Sequence, residues 1–375
     1  MTRPRVSGID IIRGVVMVLM AIDHVRLYGG VPAGGQTAGL FFTRWITHFC
    51  APAFVFLAGT SAYLHGQSIG TRALPAFLAT RGLLLVALEL TIVKFSWGFN
   101  LDYSAFTLAG VIWMIGWCMV LLAVLVRIGL NPRALGIVGL VVIGLQQAFS
   151  LVPKLLPSIG PFWEFIYPTG EDAIGGIQVL YVLVPWIGVM AAGYGFGLIA
   201  VMDDATRRRW CFRIGLGAVA LFLAIAIPVA VIQPASADGP PLLFRILGQN
   251  KYPASQLFLL MTLGPTIALL PLADRARGWF ARVLETFGRV PMVYYLLHIP
   301  AIHLATLAMA WLRGDGVHHE WYRSAPFAQV PPAARWSLGE LYLVFLIVVI
   351  ALYFPCAWYA RLKTRTPRSR WLSYI

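Results

Sequence analysis

Acidic side chains are scarce in this sequence: 15 Asp and Glu stand against 29 Lys and Arg in 375 residues, and charged residues make up only 12%. Soluble domains carry about twice that share. So thin a polar coat excludes an ordinary soluble enzyme. Cysteine is equally sparse. Cys50, Cys118, Cys211 and Cys356 lie in or beside apolar runs without metal-type spacing, which excludes a disulfide framework and a zinc site and leaves them as small core residues. The apolar segments hold no HxxxH or CxxC, so no metal is expected. A serine hydrolase, which needs its nucleophile on a strained strand-to-helix turn, is not expected either.

What the chain has in abundance is apolar surface. Hydrophobic residues reach 59% and mean hydropathy is +0.77, the composition of a polytopic integral membrane protein whose main partner is the lipid bilayer. A span needs about 20 apolar residues. Runs of that kind centre near Val16, Phe56, Ala87, Cys118, Val142, Val189, Phe222, Leu263, Ile299 and Val349, which predicts an all-α fold of about ten transmembrane helices forming a single domain over 1–375. The basic start MTRPR precedes a run too long and too charged for a signal peptide, so it reads as a retained first span.

The net charge of +14 does not indicate nucleic acid, because the positive residues sit in short clusters between apolar runs. Arg3 and Arg5, Arg72 and Arg81, Arg127 and Arg133, Arg207 to Arg209, Arg275 to Arg282 and the basic tail with Arg368 and Arg370 fall on alternate loops. The positive-inside bias then puts both termini in the cytoplasm. The opposite loops are longer and less basic: Gly29 to Thr43, Lys154 to Gly176 with Glu171 and Asp172, Gln233 to Ala254, and Arg313 to Ser337. Their Pro, Gly and aromatic residues suit ordered caps.

The first apolar run carries Asp10, Arg13, Asp23 and His24, each expensive in hydrocarbon and therefore a functional-site hypothesis. On a helix Arg13, Met17, Met20 and His24 form one stripe, with Asp10 about 40° from His24. At about 1.5 Å per residue, Arg13 lies near the N-terminal side and His24 roughly 24 Å in. The plain alternative is a local Asp10–Arg13 pair with His24 as an interfacial histidine. His48 opens the second span at nearly the depth of His24, and His298 lies mid-span in the ninth with Tyr294 one turn before it. Glu89 and Lys94 are five residues apart and cannot pair on one face, so each is expected to meet another helix. His303 faces about 140° away from His298 and reads as packing. A histidine can be a general base, a proton relay or a nucleophile, and the residues alone leave two classes open: an intramembrane enzyme or a proton-coupled transporter with Asp23, His24, Glu89 and His298 as its relay.

IDIIRGVVMVLMAIDH resembles the first-span signature of the transmembrane acyltransferase superfamily, family three, in which an aspartate and an Arg-Gly pair precede a histidine eleven residues after the arginine. PAFVFLAGTSAYL, KYPASQLFLLMTLGP, GRVPMVYYLLHIPAIH and the closing RSRWLSYI are similar to the bacterial relatives of heparan-alpha-glucosaminide N-acetyltransferase. The resemblance implies acetyl-CoA or another acyl-CoA as cytoplasmic donor and a sugar or other small-molecule acceptor on the far side. It carries the donor role onto Arg13, with Asp10 beside it, and catalysis onto His24. The sequence departs from the N-acetyltransferase branch in having no histidine between Val25 and Thr47, which brings His48 forward as a second candidate. On this reading His24 is general base or acyl carrier, His298 polarises the thioester or relays a proton, Asp23 orients His48 or pairs with Arg26, and Lys251, Tyr252 and Tyr294 border the acceptor. The acyl-CoA arm is expected to run along Met17 and Met20. A homodimer is admitted as a partner.

Overall fold

In hydrocarbon a backbone polar group has no water to bond, so the long apolar runs close their hydrogen bonds within helices. The computed structural model describes residues 7–35, 37–103, 107–168, 173–174, 176–233, 239–314, 316 and 318–365. Arg3, Arg5, Glu171, Asp172, Arg368, Arg370 and the rest of RSRWLSYI lie outside the described residues. In chain order the helices are α1 (Ser7–Tyr28), α2 (Ala38–Trp45), α3 (Cys50–Ile69), α4 (Leu74–Leu88), α5 (Lys94–Gly98), α6 (Val111–Arg127), α7 (Pro132–Gly144), the short α8 (Val152–Leu155) and α9 (Gly160–Trp163). They continue as α10 (Leu183–Ala200), α11 (Asp204–Ile232), α12 (Leu242–Leu247), α13 (Gln256–Arg275), α14 (Trp279–Arg289), α15 (Pro291–Arg313) and α16 (Leu338–Arg365).

All ten expected centres fall on helices, but among the described residues seven helical stretches are both long and apolar enough to cross a membrane. An eighth is the pair Pro132–Gly144 and Gln146–Leu155, bent by 63°. Two segments fall short for physical reasons. Every 18-residue window of α1 includes at least three of Asp10, Arg13, Asp23 and Arg26, and α6 has only 17 residues. The expected loop from Gly29 to Thr43 is partly helical, because α2 runs through a 3-10 turn into α3 and the stretch Ala38–Ile69 is continuous.

Three short strands, β1 (Thr107–Ala109), β2 (Ala173–Ile174) and β3 (Ile177–Val179), form a sheet in the order β1-β3-β2 that the sequence reading did not anticipate. β1 pairs parallel with β3, placing Leu108 opposite Gln178, and β2 pairs antiparallel with β3.

The charged helix α1 stands at the centre, packed against α3, α13, α14, α15 and α16. Its approach to α14 is so close that a Cβ on Gly14 would meet the Leu284 carbonyl, and one on Gly288 the Asp10 carbonyl. Only glycine lets two helix backbones meet in this way.

Glu89 opens a π-helical turn, Glu89–Val93, whose extra residue widens the helix between α4 and α5. Its Oε2 accepts from the backbone N–H groups of Ile112 (3.1 Å) and Trp113 (3.3 Å). A buried carboxylate thus caps the N-terminus of α6, which has no side-chain cap of its own. Glu89→Leu is expected to lower thermal stability by about 1–3 kcal/mol, the cost of two orphaned buried donors, and Glu89→Gln, which keeps an acceptor, by less. Melting of the detergent-solubilised variants checks this.

Candidate active site

His24 lies one turn before Tyr28, near the C-terminal end of α1, and is partly exposed, while His298 is fully buried on α15. Their rings meet: Nδ1 of His24 and Nε2 of His298 are 2.7 Å apart. Nδ1 of His298 lies 2.6 Å from the Tyr295 carbonyl and 3.2 Å from that of Tyr294. A carbonyl only accepts, so Nδ1 of His298 carries a proton. With both rings neutral, Nε2 of His298 then accepts from Nδ1–H of His24, which leaves Nε2 of His24 with a bare lone pair. Tyr294 stacks on His298 at 5.6 Å and Trp97 meets His24 edge-on at 5.1 Å, so packing as well as hydrogen bonding fixes both rings.

Beside this pair lies a charged cluster. Asp23 accepts from Arg26 Nε at 3.0 Å and from Arg44 Nη1 at 2.7 Å. Lys251 sits close enough to Asp23, His24 and His48 to act on all three electrostatically. Its ammonium lies over the rings of Tyr181 (5.8 Å) and Tyr252 (5.2 Å), whose hydroxyls are 3.2 Å apart. Burial opposes ionisation of Tyr252, yet Lys251 and Arg44 hold its phenol below the usual tyrosine range. Tyr181, whose burial outweighs any help from Arg44, is held well above it.

The family described as heparan-alpha-glucosaminide N-acetyltransferase, catalytic, matches residues 5–227 of the 375. The chain belongs to this family. A comparison with curated proteins gives no match. Membership makes the protein a transferase of the acyltransferase kind, in a family whose name ties it to glycan modification and whose donor is acetyl-CoA, carried here on membrane-type helices. The match covers His24, Asp23, Arg44 and His48 but stops before Lys251 and His298. Two members of the cluster, Lys251 between α12 and α13 and His298 on α15, therefore lie beyond the matched stretch.

The remaining candidates are distributed as follows. Arg13 bonds Asp10 (3.3 Å), the Gly288 carbonyl (3.2 Å) and Ser61 Oγ (2.7 Å), pinning α1 to α14 and α3. Met17 and Met20 are buried in the hydrophobic core, so the stripe expected to carry the acyl-CoA arm is filled by protein. Helical spacing alone does not separate a channel wall from a core face. Asp23 reaches Arg26 and Arg44 rather than bonding His48, whose buried Nδ1 has no partner and whose ring meets Phe258 edge-on at 5.4 Å. Tyr294 is fully buried behind His298. His303 packs among Phe99, Tyr28 and Tyr322.

Sequence reasoning missed Arg44 and Trp97. A lone arginine within FFTRWITHF, four residues before His48, was the available signal for the first. Residues 66–70, GQSIG, do match the pattern of a hydrolase nucleophile turn. They end α3 instead of following a strand, and Ser68 Oγ donates to the His65 carbonyl at 2.7 Å, so the serine is not set on a nucleophile elbow. Among the described residues no three His, Cys, Asp or Glu side chains form a metal-holding group.

Proposed function

We propose that this protein transfers an acetyl group from acetyl-CoA to the amine or hydroxyl of a sugar acceptor across a bacterial inner membrane, with His24 as general base and His298 as the residue that positions it. The observation that carries the reading is the chain from the Tyr295 carbonyl through His298 to His24, which leaves one basic nitrogen, Nε2 of His24, on a partly exposed ring. That nitrogen takes the acceptor's proton as the acceptor attacks the thioester carbonyl. The C–S bond then breaks and the proton returns to the departing thiolate, so atoms and charge balance. When Nε2 gains a proton, the Nδ1–H proton of His24 is drawn towards Nε2 of His298 along the 2.7 Å bond, which spreads the developing charge.

In this reading all ten helical stretches span, α1 and α6 included, because the charges of α1 are paired inside the bundle rather than presented to lipid. The donor enters from the cytoplasmic N-terminal end of α1, where Asp10 and Arg13 shape the floor. The acceptor enters at the Tyr28 end, bordered by Asp23, His48, Lys251 and Tyr252. The transporter alternative gains nothing from the geometry, since Glu89 caps α6 and Asp23 is held between two arginines.

Purified protein incubated with radiolabelled acetyl-CoA and glucosamine-ended oligosaccharides tests the reading. Label on the sugar is expected. Label retained on the protein alone would point to a stalled acyl-histidine, and label on neither would sink the transferase.

A further inference from the structure

At the Tyr28 end of α1 three cations surround one carboxylate. Asp23 is occupied by Arg26 and Arg44, so the third cation, Lys251, has no acid of its own. Lys251 is only 7% exposed, and among the described residues its ammonium has no hydrogen-bond acceptor. The faces of Tyr181 and Tyr252 offset part of its lost hydration, but ring faces do not satisfy three N–H donors. A buried cation left in this state is normally paired, and what is missing is an oxyanion. The same cluster holds a buried polar atom without a partner, Nδ1 of His48. Arg44 shares Asp23 and Tyr252 with Lys251 as neighbours, so a second cation, a guanidinium, is at hand.

We propose that Lys251 and Arg44 form an oxyanion subsite that seats a carboxylate, sulfate or phosphate ester carried by the acceptor, turning its amine or hydroxyl towards His24. The last clause rests on the transferase reading; the subsite itself does not. The arrangement makes the protein selective for acidic sugars. A neutral sugar entering this end leaves the Lys251 ammonium unsatisfied.

Equilibrium binding to the full-length protein in detergent, without acetyl-CoA, separates the two claims. The probes are D-glucose, D-glucuronate, D-glucose 6-sulfate and D-glucose 6-phosphate. At least one anion is expected to bind about 10- to 100-fold more tightly than glucose, the ratio that one charge-assisted contact supplies, and its identity names the oxyanion. In Lys251→Met that ratio should fall to about one, whereas Lys251→Arg should keep it. Equal affinity for all four probes, binding of none, or an unchanged ratio in a monodisperse Lys251→Met protein would overturn the subsite. The wild-type ratio decides the matter even where a variant does not fold. Loss of labelled transfer with the anion preference intact would remove the transferase reading and leave the subsite standing.

Discussion

Replacing His24 by alanine is expected to lower acetyl transfer by about 10²- to 10⁴-fold, the range contributed by a positioned general base. The substitution removes the one ring nitrogen that the hydrogen-bond chain leaves bare, while the fold should persist because His24 is partly exposed and holds no helix terminus. His298→Ala tests the other half of the chain. It leaves His24 in place but frees it to rotate and to take the wrong tautomer, so kcat should fall while the affinity for acetyl-CoA stays near wild type. His298→Gln, whose amide oxygen can accept from Nδ1–H of His24, should recover part of the rate. A structural role for His298 would instead lower melting temperature in step with activity and show no recovery. Single-turnover transfer rates alongside melting curves separate these outcomes, and undiminished turnover in His24→Ala would end its assignment as base.

Asp23→Ala is the change expected to cost most in stability, about 3–5 kcal/mol, because it leaves two poorly exposed guanidinium groups facing each other without the carboxylate that joins them. The side chains of Arg26 and Arg44 are 5% and 17% exposed, so water replaces little of the lost pairing. Asp23→Asn should recover only a fraction, since an amide oxygen accepts from one arginine but neutralises neither. The combined Asp23→Ala, Arg44→Met variant should be more stable than Asp23→Ala alone, because it removes the stranded charge. Thermal unfolding of wild type, Asp23→Ala, Arg44→Met and the double variant in one detergent forms the cycle; additive losses would mean that the pair does not interact.

The first helix was legible in the sequence because its charges interrupt an otherwise apolar run, and counting 100° per residue put Arg13 and His24 on one face. What spacing did not reveal was which partner each charge would find. Asp10 and Arg13 formed the local pair that i,i+3 spacing favours, while Asp23 found Arg44 across 21 residues and His24 found His298 across 274. Those distances are set by helix packing, which leaves no periodic trace. The methionine stripe illustrates the opposite difficulty: the face was read from the period, but a face turned to a channel and a face turned to the core have the same period. The small sheet escaped because strands of two or three residues are too short to show alternation. The π turn escaped because one inserted residue shifts a pattern by less than its noise.

The bond between His24 and His298 joins α1 to α15. His24 therefore meets its partner only after every helix from α2 to α14 has been made. A chain cut between α11 and α15 keeps α1 and the whole matched stretch, residues 5–227, yet lacks His298. In the proposed reading such a fragment carries the base without the residue that sets its tautomer.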